Sequence, residues 1–198
     1  MKKETIYFEQ VGESNTEDVI KASLDRAEEL GTKYILVAST TGKTALKLAK
    51  MAEEKGLLPN LKIIAVSHQY GLREEGKWEM DDSNMKQLES MGVVVTTQSH
   101  MFSGIERAIS NKVGGSSRID VISDTLRTIF GKGFKVAVEI AVMAADSGHI
   151  PVSENLEVIS IGGTRTGADV SVVMRPAHGK DFFKNQVREI IAMPREKE

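Results

Sequence analysis

The clearest hydrophobic pattern in the chain is a change of period between Tyr34 and Ala52. Tyr34, Ile35, Leu36, Val37 and Ala38 form a short continuous apolar run, which predicts a strand buried on both faces of a parallel sheet. Ser39, Thr40, Thr41 and Gly42 end it. From Lys43 the apolar positions Ala45, Leu48, Ala49 and Ala52 follow helical spacing, with Gly56 as the stop. Residues 61–66, LKIIAV, form a second buried-type strand, so the unit is βαβ with parallel strands.

The same reading extends to the rest of the chain. Residues 5–8 alternate weakly and predict a short edge strand; Ser14 and Glu17 have the spacing of a capping box before a helix carrying Ile20, Leu24, Ala27 and Leu30, with Gly31 at its end. Asp82 or Ser83 is placed to cap a helix bearing Met85, Leu88 and Met91, and residues 93–96 make a third strand. Ser103 and Gly104 open another helix. NKVGGSS at residues 111–117 reads as a loop within one domain, because no second core follows it. Residues 120–130 are helical, and FKVAVEIAVMAADSG is apolar nearly all round, which predicts a buried helix. Residues 157–161 give a fourth strand, and residues 168–174 a fifth, joined by so short a connection that the pair must be an antiparallel hairpin. Residues 187–192 add an edge strand or a packed tail. The expected fold class is α/β, three-layer, with a mostly parallel sheet of about five strands and one antiparallel edge strand, spanning residues 1–198 as one domain.

Ligands of such sheets sit at the carboxyl ends of the strands. The first of these ends carries Ser39, Thr40, Thr41, Gly42, Lys43 and Thr44 at a predicted helix N-terminus, where unpaired N–H groups, hydroxyls and one ammonium suit a phosphate. The helix dipole alone contributes only about 0.3–1 kcal/mol, up to roughly 2 when partly buried, so several donors must act together. Gly42, Lys43 and Thr44 match the end of the nucleotide loop GxxxxGK[ST], but its first glycine falls on Val37, which argues against an ATPase. The plainer alternative is that Thr40 or Thr41 caps the helix and Lys43 is solvated.

Other strand ends bring His68 and Gly71, Thr97 and Gly104, and Gly162, Gly163 and Thr164 to the same edge. Arg165 is a further candidate to pair with an anion. Residues 72–82 hold the one tryptophan, Trp78, and read as a solvated connection or as a loop folding over the site. Glu139 lies inside the apolar helix, so it is either paired structurally or faces the pocket.

Composition narrows the function. With no cysteine, disulfides, thiolate metal sites and cysteine nucleophiles are excluded. His68, His100, His149 and His178 show no close ligand pair, so no metal site is expected. A net charge of −2 with both signs interspersed, and 5% aromatic residues, give no footprint for nucleic acid. MKKETIYFEQ lacks the apolar segment of a signal peptide and no run approaches about 18 apolar residues, so a cytoplasmic protein with no membrane partner is expected. A homo-oligomer stays open.

Taken together, VASTTGKTALKLAK followed by LKIIAV resembles the pyruvate kinase C-terminal α/β domain, and GGTRTGADVSVVMRP resembles that domain's last glycine-rich hairpin. TQSHMFSGIERAI, VAVEIAVMAADSG and the RPAH at residues 175–178 extend the likeness over essentially all of the chain, to stand-alone prokaryotic proteins consisting of this domain. The resemblance implies the domain's fold. It argues against kinase activity, because the kinase's chemistry belongs to a barrel domain absent from this sequence. It also implies FMN as the cofactor, with its phosphate at the hydroxyl-rich loop, and hence a possible flavin-dependent reaction. The alternative is a non-catalytic regulatory module that senses a sugar phosphate. No acid, base or hydride-donor site is recognisable, so no catalytic residue is assigned and enzymatic activity stays open.

Overall fold

Ile35, Leu36 and Val37 are all buried, but on opposite faces of one sheet. Ile35 and Val37 pack with Ile63, Ala65, Ile159 and Ile161 under one layer of helices, while Leu36 packs with Ile64, Val66 and Val172 under another. A strand apolar on both faces needs cover on both, and the continuous runs in the sequence therefore dictate three layers.

The computed structural model describes residues 2–197. In chain order the elements are β1 (Ile6–Phe8), α1 (Thr16–Leu30), β2 (Tyr34–Ala38), α2 (Lys43–Glu54), β3 (Lys62–Ser67), α3 (Asp82–Ser90), β4 (Val94–Thr97), α4 (Gly104–Val113), α5 (Arg118–Phe130), α6 (Lys132–Asp146), β5 (Val158–Gly162), β6 (Val170–Arg175) and β7 (Gln186–Pro194). The sheet has seven strands among the described residues, in the order β1-β7-β6-β5-β2-β3-β4. Residues of α1, α2 and α3 cover one face, and α6, backed by α5, covers the other.

The sheet exceeds the expected five strands because the chain's two ends join it. β7 is nine residues long, runs antiparallel beside β6, and takes β1 as a parallel partner through Ile6 and Ala192. Only β6 runs against the other strands, as the short hairpin from β5 requires, and β7 and β1 extend the sheet beyond it. The alternation of residues 187–192 is weak because the first part of β7 is exposed and only its end is buried.

Several local expectations changed. Ser14 and Glu17 form no capping box; Ser14 lies in a 3-10 turn and α1 begins two residues after it, at Thr16. The cap of α3 is Asp81, whose carboxylate accepts N–H bonds from Ser83 and Asn84. α4 runs on to Val113, leaving only residues 114–117 as the loop, and α5 then opens on a capping box made by Ser117 and Asp120.

Asp120 ties that junction together. Its carboxylate also accepts from Ser110 Oγ at 2.7 Å and pairs with Arg107 at 3.1 Å, and these donors hold its pKa down at about 2. The unfolded chain protonates this group in the ordinary range near 4. The sign follows from a depressed native value: the support is complete above about pH 4 and is lost as pH falls through about 2. An NMR titration of the Asp120 side-chain carboxyl carbon is expected to show a midpoint near 2; an ordinary midpoint would show that the α4–α5 junction is open in solution.

Candidate functional site

The carboxyl ends of β2 and β3 and the face of α6 from Lys132 to Met143, with Val136 and Ile140 between, enclose a cavity of about 210 Å³. Its floor is Ala38, Ser39, Thr40, Val66, Ser67 and His68, all from those two strands or the residues just beyond them. Its wall is the α6 face carrying Lys132, Lys135 and Glu139, with Arg127 reaching in from the last turn of α5. His100, in the segment between β4 and α4, completes it.

Four elements therefore bring three cations and two histidines to one place. Lys135 and Glu139 are one helical turn apart, so their side chains meet on the same face of α6. They form a buried pair at 2.6 Å, with Lys135 7% and Glu139 4% exposed. The other Glu139 oxygen accepts the Phe102 N–H at 2.8 Å, and the Lys135 ammonium lies 5.4 Å from the centre of the Phe102 ring. Glu139 is thus both paired and at the cavity wall, so the two roles considered for it coexist. Arg127 and Lys132 have no such internal acid facing them in the cavity lining, so the positive charge there exceeds the negative.

His68 is oriented from behind. Its Nδ1 is 2.7 Å from Glu79 Oε2, and the second Glu79 oxygen is held by Arg73 at 2.8 Å. The opposite ring nitrogen, Nε2, lies 3.4 Å from Thr40 Oγ1. The His68 backbone carbonyl accepts from Trp78 Nε1 at 2.9 Å and from Thr97 Oγ1 at 2.5 Å. Trp78 also stacks on Tyr70, so the charged 72–82 segment folds back on the strand end instead of running free. The His100 ring meets that of His68 edge to face at 5.1 Å, and burial pushes the His100 pKa below its ordinary value, against the pull of Glu139.

The structure divides the candidates from sequence. Ser39, Thr40 and His68 line the cavity. Ser39 Oγ, however, also accepts the Ala45 N–H at 3.2 Å, so it serves as the internal cap of α2. Thr41, Gly42, Lys43 and Thr44 lie outside the lining. The Thr41 carbonyl is tied to Asn84 Nδ2 at 2.8 Å, and a Cβ on Gly42 would sit 2.8 Å from Asn84 Cβ and 2.9 Å from Met80 Sδ, so α3 covers this part of the loop. Lys43 is exposed at the start of α2. Thr97 touches the site through the His68 carbonyl. Gly71 closes the 71–77 turn by donating to the Lys77 carbonyl, and Gly104 begins α4.

Gly162, Gly163 and Thr164 are packed away from the cavity. Gly162 lies against the backbone of α6, Gly163 against Gly167, and the buried Thr164 donates its N–H to Asp169 at 3.2 Å. Sequence reading missed Arg127, Lys132 and Lys135. A signal existed in their spacing around the Gly131–Gly133 break, but which helix face they share depends on the turn between α5 and α6.

This architecture defines the class: an open, mostly parallel α/β sheet with a net basic cavity at its strand ends. The chain belongs to the family described as pyruvate kinase, alpha/beta domain, whose profile matches residues 17–174. Among solved structures, a pyruvate kinase from Cryptosporidium parvum is similar at 17% identity with a TM-score of 0.41, covering 82% of this chain and 23% of that one. A Cryptosporidium parvum pyruvate kinase in complex with ADP is similar at 16% identity with a TM-score of 0.38, covering 90% of this chain and 24% of that one. The chain thus spans about a quarter of the length of those kinases. Among the described residues no helix is long and apolar enough to cross a membrane.

Proposed function

We propose that the protein binds a phosphorylated small molecule with its phosphate held by Arg127, Lys132, Lys135 and Thr40. The observation that supports this is the convergence of three cations, against the single carboxylate of Glu139, in one concave site at the strand ends. A phosphomonoester carries about −1.5 to −2 charge at neutral pH, which balances that excess. The start of α6 lies at the same wall and adds the favourable end of a helix dipole.

FMN is the first ligand to test. The donor set suits its phosphate, whereas 210 Å³ falls below the roughly 300 Å³ at which pockets begin to enclose drug-sized ligands, so the flavin ring would extend beyond the enclosed space. That same volume favours the second reading, a compact sugar phosphate sensed without chemistry. A yellow purified protein, or a rise in melting temperature with FMN alone, selects the first; a rise with fructose bisphosphate alone selects the second. A ligand at about 100 times its dissociation constant adds about 2.7 kcal/mol, well within reach of a thermal scan. No rise with either ligand or with inorganic phosphate would end the phosphate reading.

Lys132→Ala provides the site-specific test. Removing one charge-assisted hydrogen bond costs about 1.5–3 kcal/mol, so binding of the stabilising phosphate ligand is expected to weaken roughly 10- to 100-fold by isothermal titration. Lys132 is only partly buried, so the melting temperature without ligand should barely move. Unchanged affinity would place the phosphate elsewhere.

A further inference from the structure

The cavity carries more than binding requires. His68 is backed by a half-buried carboxylate that is itself fixed by Arg73, an arrangement that sets the ring's tautomer and leaves Nε2 as the nitrogen on the cavity side. His100 stands beside it with its pKa lowered by burial, which favours the neutral ring. Lys135 spends one of its three N–H donors on Glu139 and is held in place by that bond. A base, a neutral imidazole and a fixed ammonium therefore surround a space next to a phosphate anchor.

Resting on the phosphate reading above, we propose that the cavity is a proton-transfer site for a small phosphorylated carbonyl compound, with His68 as the base and Glu79 as its positioning residue. The carbon next to the carbonyl gives its proton to His68 Nε2. The C–H electron pair becomes the new carbon–carbon double bond, and the carbonyl π pair moves onto oxygen, where a Lys135 N–H bond stabilises the developing charge. Return of a proton from His68 to carbon reverses the electron flow and restores the carbonyl. If the His68 proton has meanwhile exchanged with solvent, the net change is one hydrogen replaced by solvent hydrogen, with no other reactant. The small cavity suits this substrate class, because a phosphate and a short carbonyl fragment are all it must enclose.

Groups from several elements surround His68. They are Glu79 from the loop before α3, Thr40 from the β2–α2 loop, His100 from the β4–α4 segment, and Lys135 and Glu139 from α6. Glu79 acts on the ring by holding its Nδ1 side and so fixing its orientation.

The test uses dihydroxyacetone phosphate as probe in deuterated buffer, with loss of its carbon-bound hydrogen signal followed by proton NMR and its binding followed by thermal shift. The intact protein is expected to accelerate exchange, and His68→Gln to slow it at least about 100-fold while the probe still raises the melting temperature. Glu79→Gln should lower the maximal exchange rate at least about tenfold while the probe concentration giving half-maximal rate stays within about twofold, a split that a purely structural role would not produce. Binding without His68-dependent exchange overturns this proposal and leaves the phosphate reading standing. Neither binding nor exchange overturns the proposal for this substrate class, and the phosphate reading is then judged by the separate FMN, fructose bisphosphate and inorganic phosphate scans.

Discussion

Glu139→Ala is expected to lower the unfolding free energy by about 3–5 kcal/mol, the usual cost of leaving one member of a buried ion pair without its partner. Two losses combine. The Lys135 side chain, itself 7% exposed, would be left with no acid at hydrogen-bond distance, and the Phe102 N–H would lose the carboxylate oxygen it now reaches at 2.8 Å. Nearby Phe102 offers the ammonium only a weak ring contact at 5.4 Å, worth about 2 kcal/mol at best. The control removes both charges together: Lys135→Met with Glu139→Leu should recover much of the loss, because two apolar side chains of similar size demand no pairing. Urea midpoints at constant slope measure both variants. A single variant within about 1 kcal/mol of the parent would mean that water reaches the pair and that the cavity wall is more open than the structure places it.

The second large effect is Gly162→Ala, expected to cost about 3 kcal/mol or more. A Cβ at this position would lie 2.1 Å from the Gly133 carbonyl oxygen and 2.8 Å from the Ala137 N, both backbone atoms of α6. A side chain in the way can rotate; a helix backbone cannot. Overpacking that neighbours can absorb costs about 1–3 kcal/mol, and this clash has to push β5 and α6 apart as rigid elements. The two are also joined at that point by the Ser160 hydroxyl, which donates to the Ala137 carbonyl at 2.7 Å. Separating them would widen the floor of the cavity as well as weaken the core. A loss below about 1 kcal/mol in the same urea titration would show that the strand and the helix do not touch so closely. The close backbone approach at Gly162 is thus to the protein's own helix.

The fold was largely legible because its signals are local and repeated. Continuous apolar runs at residues 35–37 and 63–66 can be satisfied only by a sheet covered on both faces, and the all-round apolar stretch from Phe134 has to be one of the covers. What stayed hidden was pairing between distant segments. Nothing near Ile6 announces that its neighbour is Ala192, and a three-residue strand with only Phe8 partly buried carries almost no periodic signal. The capping box at Ser117 and Asp120 was equally local, yet it sat within a stretch whose glycines and serines read as loop.

The candidate site shows the same division at finer scale. Ser39, Thr40 and His68 were placed at the strand ends by pattern alone, and all three line the cavity. The hydroxyl-rich loop has as many potential donors as the sequence suggested, but Ser39 caps its own helix, the Thr41 carbonyl is tied to Asn84 and α3 packs over Gly42.

Amino-acid order alone therefore settles the α/β class, the helix and strand succession and the edge of the sheet where polar groups gather, because each follows from the burial demands of a few neighbouring residues. Which of those polar groups stand free, and which cations join them, was decided only when α5 and α6 docked across the sheet. Arg127, Lys132 and Lys135 are remote in sequence from Ser39 and Thr40, and a shared cavity is a property of packing that no local periodicity encodes.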